Sequence, residues 1–430
     1  MSAFFAKAWL LLLPAWAGRN VKVILAARVG MSVGRSVSSV VTALYLATIG
    51  FSGVEIGALF VAVTVASALM STCIGLLADR WGRKPFLVVV PLIAAAAGVI
   101  FAVTRVTAVL FLAAAVGSFG RGAGAGGGSV GPYRPAESAI VAETVPARHR
   151  AAAFARIASA SSLGALVGGL TAQLVHVHAH MSPAEATAAY RPAFLMAAAL
   201  AVVAGLLALL LREPERAPRQ SGRAPLRWPR RSWPALWRFW ITNATNGAGA
   251  GLLGPFVSYW FFRRYGATPA QIGVLFAVVN FFSLASTLAS ARVAARLGTV
   301  RAIVTVRAIG GVLLVPMVLA PSFLLAGGIY VVRMMVQRVG LPLRQSFTQD
   351  MADPGERASV AALSNLPAQG TMAAGQAAGG WLFDEASLAA PFTLAAVFQV
   401  ANAALYWLLF SRRPPRPRAA GAADTRSRRA

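Results

Sequence analysis

The residues of this chain best suited to chemistry are arginines that lie inside long apolar runs. Arg28 and Arg35 are seven residues apart between positions 21 and 47, so on a helix they lie nearly on one face. Arg35 would lie roughly twenty ångströms along that helix, where a charge costs at least a few kcal/mol unless it faces water, a partner or a ligand. Arg28 could instead extend its side chain to a membrane surface. The same question arises for Arg121, Arg333 and Arg338.

The acidic residues do not balance these cations within the runs. Those that flank the runs lie at their ends: Glu55, Glu137, Glu143, Glu185, Asp350, Asp353, Asp384 and Glu385. A central cavity rich in arginine and lacking acids favours an anionic or polar neutral solute over a cation. Glu137 is the best candidate for an acid that binds a proton or pairs across a gate.

Uncharged polar residues inside the runs are further candidates. Asn243 and Asn246 either hydrogen-bond between helices, which we favour, or line a cavity. Tyr259 and Asn365 are also candidates for the cavity lining.

We expect no metal and no cofactor. His176, His178 and His180 alternate, a spacing that suits neither one helix face nor a known metal motif, so we expect a solvated loop. The glycines around Arg121 lack the Gly-Lys-Ser/Thr ending of a phosphate-binding loop. Energy for any transport must therefore come from a gradient, or the protein is a uniporter.

The composition places these residues in a membrane. Hydrophobic residues make up 57% of the 430 residues, charged residues only 12%, and the mean hydropathy is +0.66. Runs of about twenty apolar residues predict transmembrane helices, because hydrocarbon offers the backbone no hydrogen-bond partners. The net charge of +27 falls mostly in alternate gaps between runs, which favours a multi-pass protein of the cytoplasmic (inner) membrane with both termini cytoplasmic over a nucleic-acid binder.

The runs predict an all-α protein of about twelve transmembrane helices in two pseudo-symmetric halves of six. Ile56-Gly57 and Leu59-Phe60 recur 216 residues later as Ile272-Gly273 and Leu275-Phe276. Gly164 and the pair Gly168-Gly169 likewise recur 211 residues later as Gly375 and Gly379-Gly380. The predicted units are an N-terminal half (1–211), a cytoplasmic linker (212–234), a C-terminal half (235–411) and a basic cytoplasmic tail (412–430).

A charged turn between the second and third spans carries the most specific motif. It contains Gly75, Asp79, Arg80, Gly82, Arg83 and Lys84. With the twelve spans, the long central loop and a weaker second copy at Arg296 and Gly298, this pattern resembles the signature of the major facilitator superfamily over essentially the whole chain. The segment from Gly131 to Arg148 is similar to the connection between helices four and five in bacterial efflux-type members.

The resemblance implies a cytoplasmic gate at the charged turn. Asp79 would face the positive N-terminal end of a helix in the other half, or an arginine there, while the glycines allow close helix approach and a tight turn. The second copy has Ala295 in place of the acid, so the two gates cannot be equivalent. Ala165 also replaces the proline of the Gly-Pro pair that drug and proton antiporters of the superfamily carry in helix five.

Three functions remain open at this stage. The leading expectation is a monomeric secondary transporter that exports a small organic molecule, coupled to protons, by alternating access. The first alternative is import or exchange of an organic anion, which the intramembrane arginines favour. A non-transporting membrane sensor with the same fold is the third.

Overall fold

The computed structural model describes residues 17–120, 131–175, 183–213, 229–353, 356, 360 and 363–411. Within them the regular structure consists of sixteen α-helices and two short 3₁₀ turns, Ala172–Leu174 and Gly254–Phe256. The helices are α1 Arg19–Thr48, α2 Gly53–Trp81, α3 Lys84–Val103, α4 Thr107–Gly117, α5 Arg134–Thr144, α6 Ala147–Thr171, α7 Pro183–Ala189, α8 Arg191–Leu209, α9 Trp233–Leu253, α10 Val257–Tyr265, α11 Pro269–Leu297, α12 Thr299–Val312, α13 Leu314–Leu319, α14 Phe323–Met351, α15 Leu366–Glu385 and α16 Ala390–Phe410. Arg121, the three alternating histidines, most of the linker and the basic tail lie outside the described residues.

The described helices form twelve passes, which confirms the predicted all-α fold of two six-helix halves. The fourth pass combines α4 with α5, the seventh α9 with α10, and the ninth α12 with α13. Eight segments are both long and apolar enough to cross a membrane, and α4 and the first half of α11 are apolar but shorter. Neither α9 nor α15 is among them, because both carry many glycines and polar residues.

The predicted end of the fourth pass was wrong. The sequence suggests a span over 107–132 followed by a connection, but the helix resumes as α5 from Arg134 to Thr144. Pro135 lies in the first turn of α5, where a proline is favourable because its missing N–H needs no partner. Glu137 therefore lies on a helix and is buried, and not on a surface connection.

Corresponding helices of the two halves begin in the same way. The side chain of Ser52 accepts a hydrogen bond from the backbone of Glu55, whose carboxylate accepts one from the backbone of Ser52 in return. Thr268 and Gln271 form the equivalent capping box at the start of α11, 216 residues later. Each box satisfies helix N–H groups that would otherwise lack partners. The duplication seen in the sequence thus extends to the local capping.

The hydrophobic core differs between the two ends of the bundle. We call the end with Arg83, Arg212, Arg231 and Arg301 the basic end, and the end with Ser52 the far end. At the far end one apolar cluster includes residues of both halves. At the basic end the described residues form separate clusters, one confined to the N-terminal half and two confined to the C-terminal half. Among the described residues, the apolar cluster that joins the two halves is therefore the one at the far end.

Candidate functional site

Glycines allow the two halves to meet at the far end. A Cβ atom added to Gly57 on α2 would lie 2.7 Å from the carbonyl oxygen of Gln376 on α15. A Cβ added to Gly169 on α6 would lie 2.7 Å from the carbonyl oxygen of Gly273 on α11. No side chain fits at such a distance, so backbone packs directly on backbone. Gly57 and Gly273 are repeat-equivalent, and both interfaces therefore follow one pseudo-symmetric plan.

A carboxylate of the C-terminal half caps a helix of the N-terminal half at this end. The Asp384 Oδ1 and Oδ2 atoms accept hydrogen bonds from the backbone N–H groups of Gly53 and Val54, each at 2.8 Å. These are the first residues of α2, so the carboxylate also meets the positive end of the helix dipole. Deeper in the same interface, the Thr64 hydroxyl donates to the Gln376 side-chain oxygen at 3.0 Å.

Arg28 and Glu137 form a buried ion pair between α1 and α5. Their residues are only 6% and 4% exposed. The expectation that no carboxylate balances the intramembrane arginines is therefore wrong for Arg28, and so is the idea that its side chain extends to the surface. The helical placement of Glu137, which the sequence did not reveal, brings the carboxylate to this depth.

Arg35 lies seven residues, or about two helical turns, beyond Arg28 on α1. Its guanidinium faces Gly131, where an added Cβ would lie 3.1 Å from the Arg35 Cζ atom and 3.3 Å from the Tyr133 ring. Two small cavities, of about 30 and 20 Å³, adjoin Arg28 and Arg35 respectively. Each has room for about one water molecule, so neither holds an organic solute in this state.

The C-terminal half contains a second group of arginines. The Arg333 Nε atom donates to the carbonyl oxygen of Gly310 at 3.0 Å, which ties α14 to α12. Arg307 on α12 donates to the side-chain oxygen of Asn246 on α9. Arg338 is partly buried, and its Nε and Nη2 atoms have no hydrogen-bond partner within the described residues. The arginines of this half thus reach backbone and amide oxygens in place of carboxylates.

A polar cavity of about 240 Å³ opens among α9, α14, α16 and the chain just before α15, on the basic-end side. Its lining includes Arg344, Gln345, Thr348, Asn365 and Tyr406. Asn365, predicted as a cavity residue, thus lies at this cavity. Asn243 also borders it, although the Asn243 amide donates to the carbonyl oxygen of Ser364 at 2.8 Å and so joins α9 to the chain just before α15.

Tyr259 lies elsewhere. It is 4% exposed within the far-end core, and its ring packs edge-on against Phe383 with centroids 5.5 Å apart. Arg263 lies over the same ring at 5.8 Å. A role for Tyr259 in a solute cavity stays a prediction for a different conformational state.

The charged turn between α2 and α3 makes its described contacts inside the N-terminal half. Gly82 has φ 95° and its repeat-equivalent Gly298 has φ 77°, a region in which a side chain would be strained. The Arg83 guanidinium pairs with Glu143 on α5, and the Arg83 backbone N–H donates to the Glu213 carboxylate at 2.7 Å.

The other residues of the turn occupy the expected places along the chain. Asp79 and Arg80 lie in the last turn of α2, and their side chains are outside the described residues. Lys84 begins α3, Gly75 packs toward α5 at ordinary contact distance, and Arg296 is exposed in the last turn of α11. A latch from Asp79 to the other half stays a prediction.

A carboxylate also anchors the start of the second half. The Glu356 side chain accepts hydrogen bonds from the backbone N–H groups of Arg231 and Ser232, at 3.2 and 2.7 Å, just before α9. Partial desolvation acts to raise the pKa of Glu356, but these bonds and the Ser232 hydroxyl outweigh it and hold the pKa below its usual value. Glu356 therefore stays ionised at neutral pH and fixes the start of α9.

The sequence matches the family model described as Major Facilitator Superfamily twice, over residues 24–243 and 239–429. The chain belongs to the Major Facilitator Superfamily. It is accordingly a multi-pass membrane protein of a transporter superfamily, as the charged turn and the duplicated spans predict.

Curated relatives in the superfamily match at low identity. Multidrug resistance protein 1 of Bacillus subtilis (strain 168) is 27% identical over 180 residues, which is 41% of each chain. Quinolone resistance protein NorA of Staphylococcus aureus (strain MRSA252) is 26% identical over 205 residues, which is 47% of each chain. The chain thus matches less than half the length of these relatives.

Solved structures of the superfamily match over nearly the whole chain. The nucleoside transporter NupG has a TM-score of 0.71 at 15% identity, covering 92% of this chain and 100% of that one. A bacterial homologue of the human lysosomal transporter Spinster, in an inward-facing and unoccupied conformation, has a TM-score of 0.68 at 17% identity, covering 91% and 96%. At these identities the likeness shows the shared fold.

Several residues of this superfamily member escaped the sequence analysis. Arg307 lies in the predicted ninth span, 301–320, and Arg344 lies one residue beyond the predicted tenth span, 322–343. Both are near span ends and did not stand out from surface charges. Asp384 was assigned only to a helix end. The capping box at Ser52 was a usable signal for the start of α2, but nothing in the sequence indicated that Asp384 would meet that helix.

Proposed function

We propose that this chain moves a small organic solute across the cytoplasmic membrane by alternating access and exports it in exchange for protons. The observation that carries the proposal is the contrast between the ends of the bundle: one core shared by both halves at the far end, and separate cores at the basic end. Two halves that are joined at one end can rock about a central site, so that the closed end opens and the open end closes.

The basic end is the cytoplasmic end in this proposal. Lysine and arginine are retained on the cytoplasmic side of membrane proteins, and Arg83, Arg212, Arg231 and Arg301 cluster at the basic end. Both termini then lie in the cytoplasm, and the structure corresponds to the state open to the cytoplasm.

The Arg28–Glu137 pair supplies the proton coupling. Protonation of Glu137 would leave Arg28 as an uncompensated charge at a buried position, where breaking such a pair costs about 3–5 kcal/mol. Protonation therefore favours a conformation in which Arg28 reaches water or another partner. Proton occupancy and conformation become linked in this way.

The direction of transport rests on the relatives. Proteins named for multidrug and quinolone resistance match the chain, and resistance of that kind supports export of organic solutes. The glycine-packed far end would open to release the solute outside.

The test is a proton-flux assay in inside-out membrane vesicles. An imposed proton gradient, acid inside, is followed with a pH-sensitive dye while benzenesulfonate, ethidium or chloramphenicol is added. We expect at least one solute to dissipate part of the gradient with the native protein, and none to do so with Glu137→Gln. Glu385→Gln, which removes an exposed carboxylate, is the matched control and should behave as the native protein.

Each other outcome counts against a defined part of the proposal. Solute-driven proton flux that survives in Glu137→Gln removes this residue from coupling. Counterflow of a labelled solute without any proton movement would show that the protein is a uniporter and not a proton exchanger. An absence of both proton flux and counterflow for every solute favours the membrane sensor.

A further inference from the structure

The polar cavity of the C-terminal half is distinct from the far-end interface and from the Arg28–Glu137 pair. It measures about 240 Å³ and lies among α9, α14, α16 and the chain just before α15. Small-molecule pockets in proteins typically measure about 300–1,000 Å³, so this cavity suits a compact solute. Its lining is mixed, because Leu341 and the Tyr406 ring are apolar while Gln345, Thr348 and Asn365 offer hydrogen bonds.

Arg344 is the charged residue of this lining. Its Nη1 atom is buried and has no hydrogen-bond partner within the described residues. A guanidinium presents five N–H donors in a planar fork that matches the two oxygens of a carboxylate. A buried donor of this kind that meets no protein acceptor indicates an acceptor supplied from outside the chain.

The electrostatic surroundings of Arg344 are positive. Arg307 on α12 lies close enough for the two guanidinium charges to repel each other. The Arg307 guanidinium itself donates a hydrogen bond to the side-chain oxygen of Asn246. None of the residues that line the cavity is acidic. Asp350 on the same helix as Arg344 accepts a hydrogen bond from the Ser346 hydroxyl, and Glu356 accepts hydrogen bonds at the start of α9. Water could hydrate Arg344 but could not neutralise this charge.

We propose that the cavity binds a compact organic anion and that Arg344 holds the oxyanion group of that ligand. Arg344 forms the paired hydrogen bonds, Gln345 and Asn365 bind the remaining polar atoms, and Leu341 with Tyr406 contacts the apolar body. The assignment of this anion as the transported solute rests on the proposed function, whereas its binding to the cavity does not.

The test measures binding to the purified full-length protein in a neutral detergent. Benzoate is the probe, benzamide its uncharged counterpart of nearly the same shape, and phenyl phosphate the phosphate counterpart. Preferential binding to the folded state raises the melting temperature. We expect benzoate to raise it in the native protein and benzamide not to. Loss of a charge-assisted pair should weaken benzoate binding at least about tenfold in Arg344→Gln.

Control variants separate this site from general charge effects. Arg301→Gln removes an exposed arginine at the same end and should leave benzoate binding unchanged. Arg344→Lys should bind benzoate more weakly than the native protein but retain more affinity than Arg344→Gln, because a point charge replaces the planar fork. A stronger response to phenyl phosphate than to benzoate, lost in Arg344→Gln, would assign the oxyanion as a phosphate.

Other results would overturn the inference. Equal shifts with benzoate and benzamide, or a benzoate shift that persists in Arg344→Gln, would remove Arg344 from recognition. A shift produced by phosphatidylglycerol and by neither soluble anion would make the cavity a lipid site. Because binding is measured without a membrane, a failed proton-flux assay leaves this result standing, and failed binding leaves the flux result standing.

Discussion

At the scale of single residues, Arg28 and Glu137 show how two charges are accommodated among the apolar helices of the N-terminal half. Each of the two is almost fully buried and lies against the opposite charge of the other. Such a pair contributes little net stability, because desolvation offsets the attraction, but removing one partner leaves a costly unpaired charge.

This asymmetry predicts a non-additive response. Arg28→Met alone should destabilise the protein by about 3–5 kcal/mol, since Glu137 is left buried without its partner. Arg28→Met combined with Glu137→Gln should recover most of that loss, because no charge then remains. Thermal unfolding of the native protein, the two single variants and the double variant in one detergent provides the comparison. Additive losses in the double variant would show that the pair is not coupled in the folded protein.

At the scale of elements, α2 is held at its N-terminus from two directions. Its own capping box at Ser52 is local, whereas the Asp384 carboxylate comes from α15 in the other half. The pseudo-symmetric position 211 residues before Asp384 is Gln173, which carries no charge. Of these two repeat-equivalent positions in the described residues, the acidic cap therefore lies on the α2–α15 side.

Removing that charge should loosen the far end. Asp384→Asn keeps the size of the side chain but weakens its bond to the helix end by about 1–2 kcal/mol, which changes a conformational equilibrium roughly five- to thirty-fold. The distance between spin labels at exposed positions 106 and 324, on opposite halves at the far end, measures this opening. It is obtained by pulsed electron paramagnetic resonance in a Cys73→Ser background. We expect a larger long-distance population.

The neighbouring Glu385 offers the control for that measurement. Glu385→Gln removes the charge of the next residue, which is also exposed, and should leave the distance distribution unchanged. Identical distributions for Asp384→Asn and the native protein would mean that the cap does not help to hold the far end closed.

At the scale of the whole molecule, closure of the far end depends on backbone contact between the halves. A Cβ added to Gly380 would meet the backbone of Gly53 and lie 3.1 Å from the Val54 Cα atom. Backbone cannot move aside as a flexible side chain can, so a larger residue there must separate the halves.

Gly380→Val should therefore disfavour the observed state and lock the protein open at the far end. The same spin-label pair should show mainly the long distance, and solute flux should fall to background because the far end no longer closes. Gly370→Val on the same helix has open space around it and should retain both the native distances and the flux. A native distance distribution in Gly380→Val would contradict the proposed closed interface.

The sequence by itself determined the helical class, the membrane setting, the two-fold repetition and the family. These follow from local properties: apolar runs must be helical where no water satisfies the backbone, and the charged turn is contiguous in the chain. Even the glycines that meet at the far end were visible as repeats, because a repeat is a comparison of sequence with itself.

Only the tertiary structure decided which charges meet. Glu137 is 109 residues from Arg28, and Asp384 is 331 residues from Gly53, so neither contact leaves a trace in local spacing. The position of Arg344 at a cavity could not be predicted for the same reason, since a charge near a span end resembles a surface charge until neighbouring helices enclose it. Such contacts depend on how non-sequential helices pack, and a buried charge obtains its partner from that packing.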